Sequence, residues 1–78
     1  MSYTGWKNYE TWNVSLWIQH SHELCICAIE FMDKYKGHRP YADFIRAYGL
    51  QQTPDCIHYD DDQLDYGKLN TMMHELIE

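Results

Sequence analysis

Asn8-Tyr9-Glu10-Thr11-Trp12-Asn13-Val14-Ser15-Leu16-Trp17-Ile18 is the stretch on which the fold turns. The short side chain of Asn8 can accept from the free amides of a first helical turn, so it reads as an N-cap and predicts a helix over residues 9–19. Tyr9, Trp12, Asn13, Leu16 and Trp17 share one face, while Val14 and Ile18 add apolar groups on another. Such a helix is apolar most of the way round. In a small domain it is expected to be the central element, with the others packed against it.

Three further helices follow from spacing and punctuation. Ser21-His22-Glu23 opens one that runs to Lys36, with Gly37 as the left-handed residue that ends it. Its stripe is Leu24, Cys27, Ala28, Phe31, Met32 and Tyr35, and its other side carries Glu23, Glu30, Asp33 and Lys34. Pro40 and Gly49 bracket a short helix whose packing face is Tyr41, Phe44, Ile45 and Tyr48. From Leu50 to Gln63 the periodicity stops: Thr53-Pro54-Asp55 and Asp60-Asp61-Asp62 read as turns, with Cys56 to Tyr59 as a short extended piece. Asp65 then caps the last helix, with Leu64 and Leu69 placed as a hydrophobic staple and Leu69, Met72, Met73, Leu76 and Ile77 as the packing face. The expectation is an all-α single domain over residues 1–78, four short helices around a Trp-rich first one, with an acidic loop before the last.

The chain has 78 residues, 45% of them hydrophobic and 15% aromatic, which is too rich in core formers for a disordered polymer. Its net charge of −6 is unevenly placed. In residues 1–46 five cations cancel five anions, whereas residues 47–78 set Lys68 alone against Asp55, Asp60, Asp61, Asp62, Asp65, Glu75 and Glu78. A one-signed field of this kind repels phosphate and favours a partner with a basic surface, so direct nucleic-acid binding is disfavoured. No apolar run of membrane-spanning length is present. Asp55, Asp60, Asp61, Asp62 and Asp65 are therefore the candidate partner-binding carboxylates.

Cys25, Cys27 and Cys56 cannot all pair with one another, and the first residues show no export signal, which is the pattern of a cytoplasmic protein with reduced thiols. His20, His22 and Cys25 form the alternative, a small zinc-binding protein. Against it, residues two apart on a helix, such as Cys25 and Cys27, point roughly 200° away from one another. An EF-hand reading of the acidic run fails, because it needs Gly and Glu where counting from Asp60 gives Asp65 and Thr71. Cys25 with His22 lacks an oxyanion donor pair or an orienting acid, so no enzyme is expected. No cofactor-binding motif occurs either.

The aromatic residues have two readings. Trp12 and its neighbours can supply the core of a small protein, or Tyr3, Trp6 and Trp17 can remain exposed as anchors for a partner. Burial of that aromatic surface in a homo-oligomer is a further alternative, and the sequence leaves the oligomeric state open. Trp6 through Ile18, with Asn-Tyr-Glu-Thr-Trp-Asn-Val before Leu-Trp-Ile, resembles the N-terminal signature of a family of small uncharacterised proteins of bacteriophages and of bacteria including cyanobacteria. Thr53-Pro54-Asp55, the Asp run, Leu64-Asp65 and a Met-containing last helix are also similar to that family, with Cys56 where it usually has Gly. The resemblance implies a small protein that acts by binding a host protein. The confinement of the net charge to residues 47–78 extends this to an accessory factor that occupies or blocks a basic surface, one version being mimicry of nucleic acid.

Overall fold

The computed structural model describes residues 5–78, and Tyr3 lies outside them. Four helices follow one another: α1 Tyr9–His20, α2 His22–Lys34, α3 Pro40–Tyr48 and α4 Tyr66–Glu75. No strand occurs among the described residues. The Cα radius of gyration is 11.5 Å, the value a tightly folded chain of this length adopts.

The local signals act where the sequence places them. Asn8 is extended (φ −156°, ψ 175°), and its side-chain oxygen accepts the Thr11 N–H at 2.9 Å. Ser21 is both the last cap of α1 and the first of α2, so the two helices join through a single residue, and they pack on one another. Gly49 ends α3 in the left-handed region (φ 63°, ψ 33°), and the next amide, of Leu50, reaches back to the Ile45 carbonyl at 3.1 Å. Asp65 caps α4 by accepting the Lys68 N–H at 3.1 Å, with Leu64 and Leu69 both buried beside it.

The end of α2 departs from expectation. The helix stops at Lys34, and Gly37 is not among the left-handed residues. Tyr35 ends it instead: its backbone turns extended, its hydroxyl donates to Asp43 on α3, and the same hydroxyl accepts the Arg39 N–H at 2.9 Å. Gly37 is required for another reason, since a Cβ there would collide with the Tyr35 hydroxyl.

The core is aliphatic, Met-rich and aromatic, but its aromatics are not tryptophans. Val14, Ile18, Ala28, Tyr41, Phe44, Leu69 and Met73 are fully enclosed, while Trp6, Trp12 and Trp17 are half-buried at its margin. Of the faces read from spacing, Tyr41, Phe44 and Ile45 on α3 and Leu69, Met72 and Met73 on α4 are buried, whereas Tyr48 and Ile77 are exposed. The packing centre also differs from a shell around α1. Helices α2 and α4 each touch three others, and α1 packs on these two and not on α3. The cause is visible in α1 itself, whose fully buried side chains include the polar Thr11, Asn13 and Ser15. Two of these are spent on the loop between α3 and α4, Thr11 on the Asp65 amide and Asn13 on Thr53 and Asp55, while Ser15 accepts the Gln19 side-chain amide at 2.9 Å within the helix.

Candidate functional site

The loop from Leu50 to Asp65 carries all five candidate carboxylates, and its shape is set by side chains of α1. Its first half is an arch. Gln52 and His58 form an isolated antiparallel bridge, the Thr53 N–H donates to the Ile57 carbonyl at 2.8 Å, and the Tyr59 N–H donates to Gln51 at 3.0 Å. At its tip, Thr53-Pro54-Asp55-Cys56 is a turn closed by the Cys56 N–H on the Thr53 carbonyl at 2.8 Å. Cys56 leaves that turn with φ 68°, left-handed in a residue with a Cβ. Of the extended piece expected over Cys56 to Tyr59, only Ile57 and His58 form the returning arm of this arch, for Cys56 is left-handed and Tyr59 enters the next turn.

Two polar clamps fasten the loop to α1. In the first, the fully enclosed Asn13 amide donates to the Asp55 carboxylate at 2.8 Å and its carbonyl accepts the Thr53 hydroxyl at 2.7 Å. The Thr53 oxygen in turn accepts the Asp55 and Ile57 amides at 3.2 Å each, and the Trp17 indole N–H donates to the same Asp55 oxygen at 3.0 Å. In the second, the Asn8 amide donates to the Gln63 carbonyl at 2.7 Å, while the Thr11 hydroxyl donates to Asn8 at 2.6 Å and accepts the Asp65 N–H at 3.0 Å. Among the described residues every buried side-chain polar atom has a hydrogen-bond partner.

The five carboxylates therefore divide by task. Asp55 is exposed, yet hydrogen bonds from Asn13 and then Trp17 hold its carboxyl below the usual carboxylate range, against a smaller desolvation effect. Asp65 is a helix cap, and Asp61 accepts the Gln63 N–H at 2.7 Å while its carbonyl takes the Tyr66 hydroxyl at 2.8 Å. Asp60 and Asp62 are exposed, and neither has a hydrogen bond or ion pair among the described residues.

The aromatic candidates are also placed. The ring of Trp6 packs against the core and lies 5.6 Å from the ammonium of Lys68, the single cation of residues 47–78. Trp17 is half-buried with its polar edge committed to Asp55. His20 ends α1 and His22 begins α2, both exposed, while Cys25 is half-buried one turn further on. Among the described residues no group of three or more His, Cys, Asp or Glu side chains is arranged to hold a metal ion. All three cysteines are free. No helix among the described residues is long and apolar enough to cross a membrane.

Sequence reading missed Asn13, Thr11 and Thr53 as organisers of the loop. Part of the signal was present, since Thr11 and Asn13 flank Trp12 in a largely apolar helix and a buried polar group needs a partner; Thr53, between Gln52 and Pro54, carried none.

The fold and site define a small all-α domain that displays an acidic loop clamped to its first helix. The chain belongs to a family of unknown function, DUF7249, whose profile matches residues 1–78. The match includes the middle helices as well as the two ends that carry the motifs. No curated protein and no solved structure matches the chain.

Proposed function

We propose that this protein is an acidic binding module that docks on a basic surface of another protein, as an accessory factor or inhibitor of the phage type acting inside the host cell. The observation that carries this reading is the state of Asp60 and Asp62, exposed and unpartnered on a loop fastened to the scaffold near both ends. A rigid presentation of carboxylates reduces the ordering cost of binding, and clustered like charge accelerates encounter with a cationic surface. If the partner normally binds nucleic acid, these carboxylates stand where phosphates would.

The test is capture from host-cell lysate with wild type and the Asp60→Asn/Asp62→Asn variant side by side, followed by titration of the recovered, purified partner. Wild-type affinity is expected to fall as salt rises and to exceed that of the variant by about five- to ten-fold at low ionic strength. Equal affinity of the two proteins rejects the reading.

A second reading, self-association, is favoured by Ile26 and Ile29, one turn apart on the outer side of α2 and 43% and 39% exposed. Sedimentation over a dilution series decides it. A monomer at every concentration removes it.

A further inference from the structure

A cleft of about 580 Å³ lies between the second half of α3 and the acidic loop, a volume in the range of ligand sites. Ile45, Leu50, Tyr59 and Tyr66 line it, and the exposed Arg46 and Asp60 border it from the two sides. Opposite charges that border one cleft would be expected to pair. Here they do not, for no ion pair is formed among the described residues. A second cleft, of about 360 Å³, shares Ala42 and Tyr66 with the first and adds Arg39 and Asn70. The two form one groove along α3. Asn70 uses its side-chain oxygen to accept the Tyr41 N–H at 3.0 Å, which leaves its amide N–H groups without a partner at the groove.

We infer that this groove seats an extended segment of the partner polypeptide, with an arginine or lysine side chain lying in the larger cleft and its cationic head against Asp60. The inference rests on the acidic-module reading above and names where on the partner's chain the contact falls. Three features of the cleft favour a long basic side chain over other occupants. Leu50 and Ile45 offer apolar surface to the methylene stem. The half-buried Tyr66 adds an aromatic ring to the lining, a group that attracts a cation, whereas Tyr59 is 3% exposed. Asp60 supplies the counter-charge, and the field of the run reaches the cleft lining: burial and then Asp60, Asp61 and Asp62 push the Tyr66 phenol up. On the other side Arg46, and further along Arg39 and the Asn70 amide, present donors only, which suit the carbonyl groups of a peptide main chain. The groove carries the cations Arg46 and Arg39 as well, but an anionic ligand in the larger cleft would lie in the field of Asp60, Asp61 and Asp62, and a purely apolar one would leave Arg46 and Asp60 unmatched.

The probe is a capped tetra-arginine peptide, with its citrulline counterpart as a neutral control of equal shape, titrated into the full chain by amide NMR. The arginine peptide is expected to shift Ile45, Leu50, Tyr59 and Tyr66 in a saturable way, about ten-fold more tightly than the citrulline peptide. Ala42→Phe fills the wall shared by the two clefts without removing a charge and is expected to weaken binding about five-fold or more. Leu50→Lys sets a cation of the ligand's own sign in the larger cleft and serves if the first variant does not fold. Shifts confined to residues 60–62, abolished by Asp60→Asn/Asp62→Asn yet indifferent to Ala42→Phe and Leu50→Lys, overturn the groove and leave the acidic-surface reading standing. No response to the peptide, or an equal response to citrulline, also overturns the groove. Failure of the lysate partner to depend on Asp60 and Asp62 removes the acidic-surface reading by itself.

Discussion

Cys56 holds a φ of 68° at the exit of the turn that points the loop back toward α4, and its side chain is exposed. A left-handed backbone costs a residue with a Cβ about 1–2 kcal/mol, while glycine gives back about 0.5–1 kcal/mol through its freer unfolded state. Cys56→Gly should therefore stabilise the protein by about 0.5–1 kcal/mol and raise Tm by about 2–6 °C, with no packing lost. Cys56→Ala is the control: it removes the thiol but keeps the strain, and should leave Tm where it was. A glycine variant that melts at or below wild type refutes the assignment. Tyr41 illustrates the opposite use of a side chain. Fully enclosed, it donates its hydroxyl to the Tyr59 carbonyl at 2.6 Å, and burial first, then the charges of its neighbours, push the phenol far above its ordinary value. Tyr41→Phe should cost about 1–2 kcal/mol near neutral pH. The sign then changes with pH. A phenol whose pKa is raised on folding contributes fully below the unfolded value of about 10, and that contribution falls by about 1.4 kcal/mol per pH unit above it. Wild type and Tyr41→Phe should thus converge near pH 11 in denaturant titrations; a gap as wide there as at pH 8 contradicts the burial argument.

Between elements, the connection that matters is that of α1 with the loop, and Asn13 is its hub. Its amide and carbonyl meet Asp55 and Thr53, residues 42 and 40 positions away. Asn13→Ala should cost about 2–3 kcal/mol, because it strands the Thr53 hydroxyl and loses the Asn13 bonds to Asp55, Thr53 and the Tyr9 hydroxyl. Adding Thr53→Ala should cost less than in an otherwise wild-type chain, with a coupling of about 0.5–2 kcal/mol. Amide exchange should quicken over residues 51–59 in Asn13→Ala and remain slow in the middle of α4; additive losses with no such local change would show that the clamp does not act as one unit. These clamps also mark what was legible beforehand. The Asn8 and Asp65 caps, the Gly49 stop and the stripes of α2, α3 and α4 are local patterns, and they were readable from neighbours three or four residues apart. The Asn13 and Thr11 contacts join positions more than half the chain apart, and no spacing rule encodes such a pair. The same distance left the tryptophans open between core and surface. Trp17 belongs to the margin because its indole N–H is spent on Asp55, and the space at the centre goes to Tyr41 and Phe44 from α3. Gly37 was rightly singled out and wrongly explained, since its neighbour Tyr35 claims the volume a Cβ would fill.

At the scale of the molecule the charge remains unneutralised. The chain carries −6, and no ion pair forms among the described residues, so no such pair offsets the repulsion among the acids of residues 47–78. Like charges held in one loop oppose the compact state, and added salt screens them within a Debye length of about 10 Å at 0.1 M. Raising NaCl from about 20 mM to about 300 mM should therefore increase Tm by about 2–5 °C. NaCl is the salt to use, because sulfate would stabilise any fold by exclusion from its surface. Asp60→Asn/Asp62→Asn, with both unpartnered carboxylates neutralised, should begin at a higher Tm in low salt and gain less from NaCl. The slope separates two accounts of the acidic run. A wild-type Tm that climbs while the variant's stays flat means that Asp60 and Asp62 are kept at a cost to stability, a cost that a cationic partner would remove on binding. Parallel slopes in the two proteins would place the repulsion elsewhere, among the remaining acids of residues 47–78, and would take from the loop the strain that a basic partner is proposed to relieve.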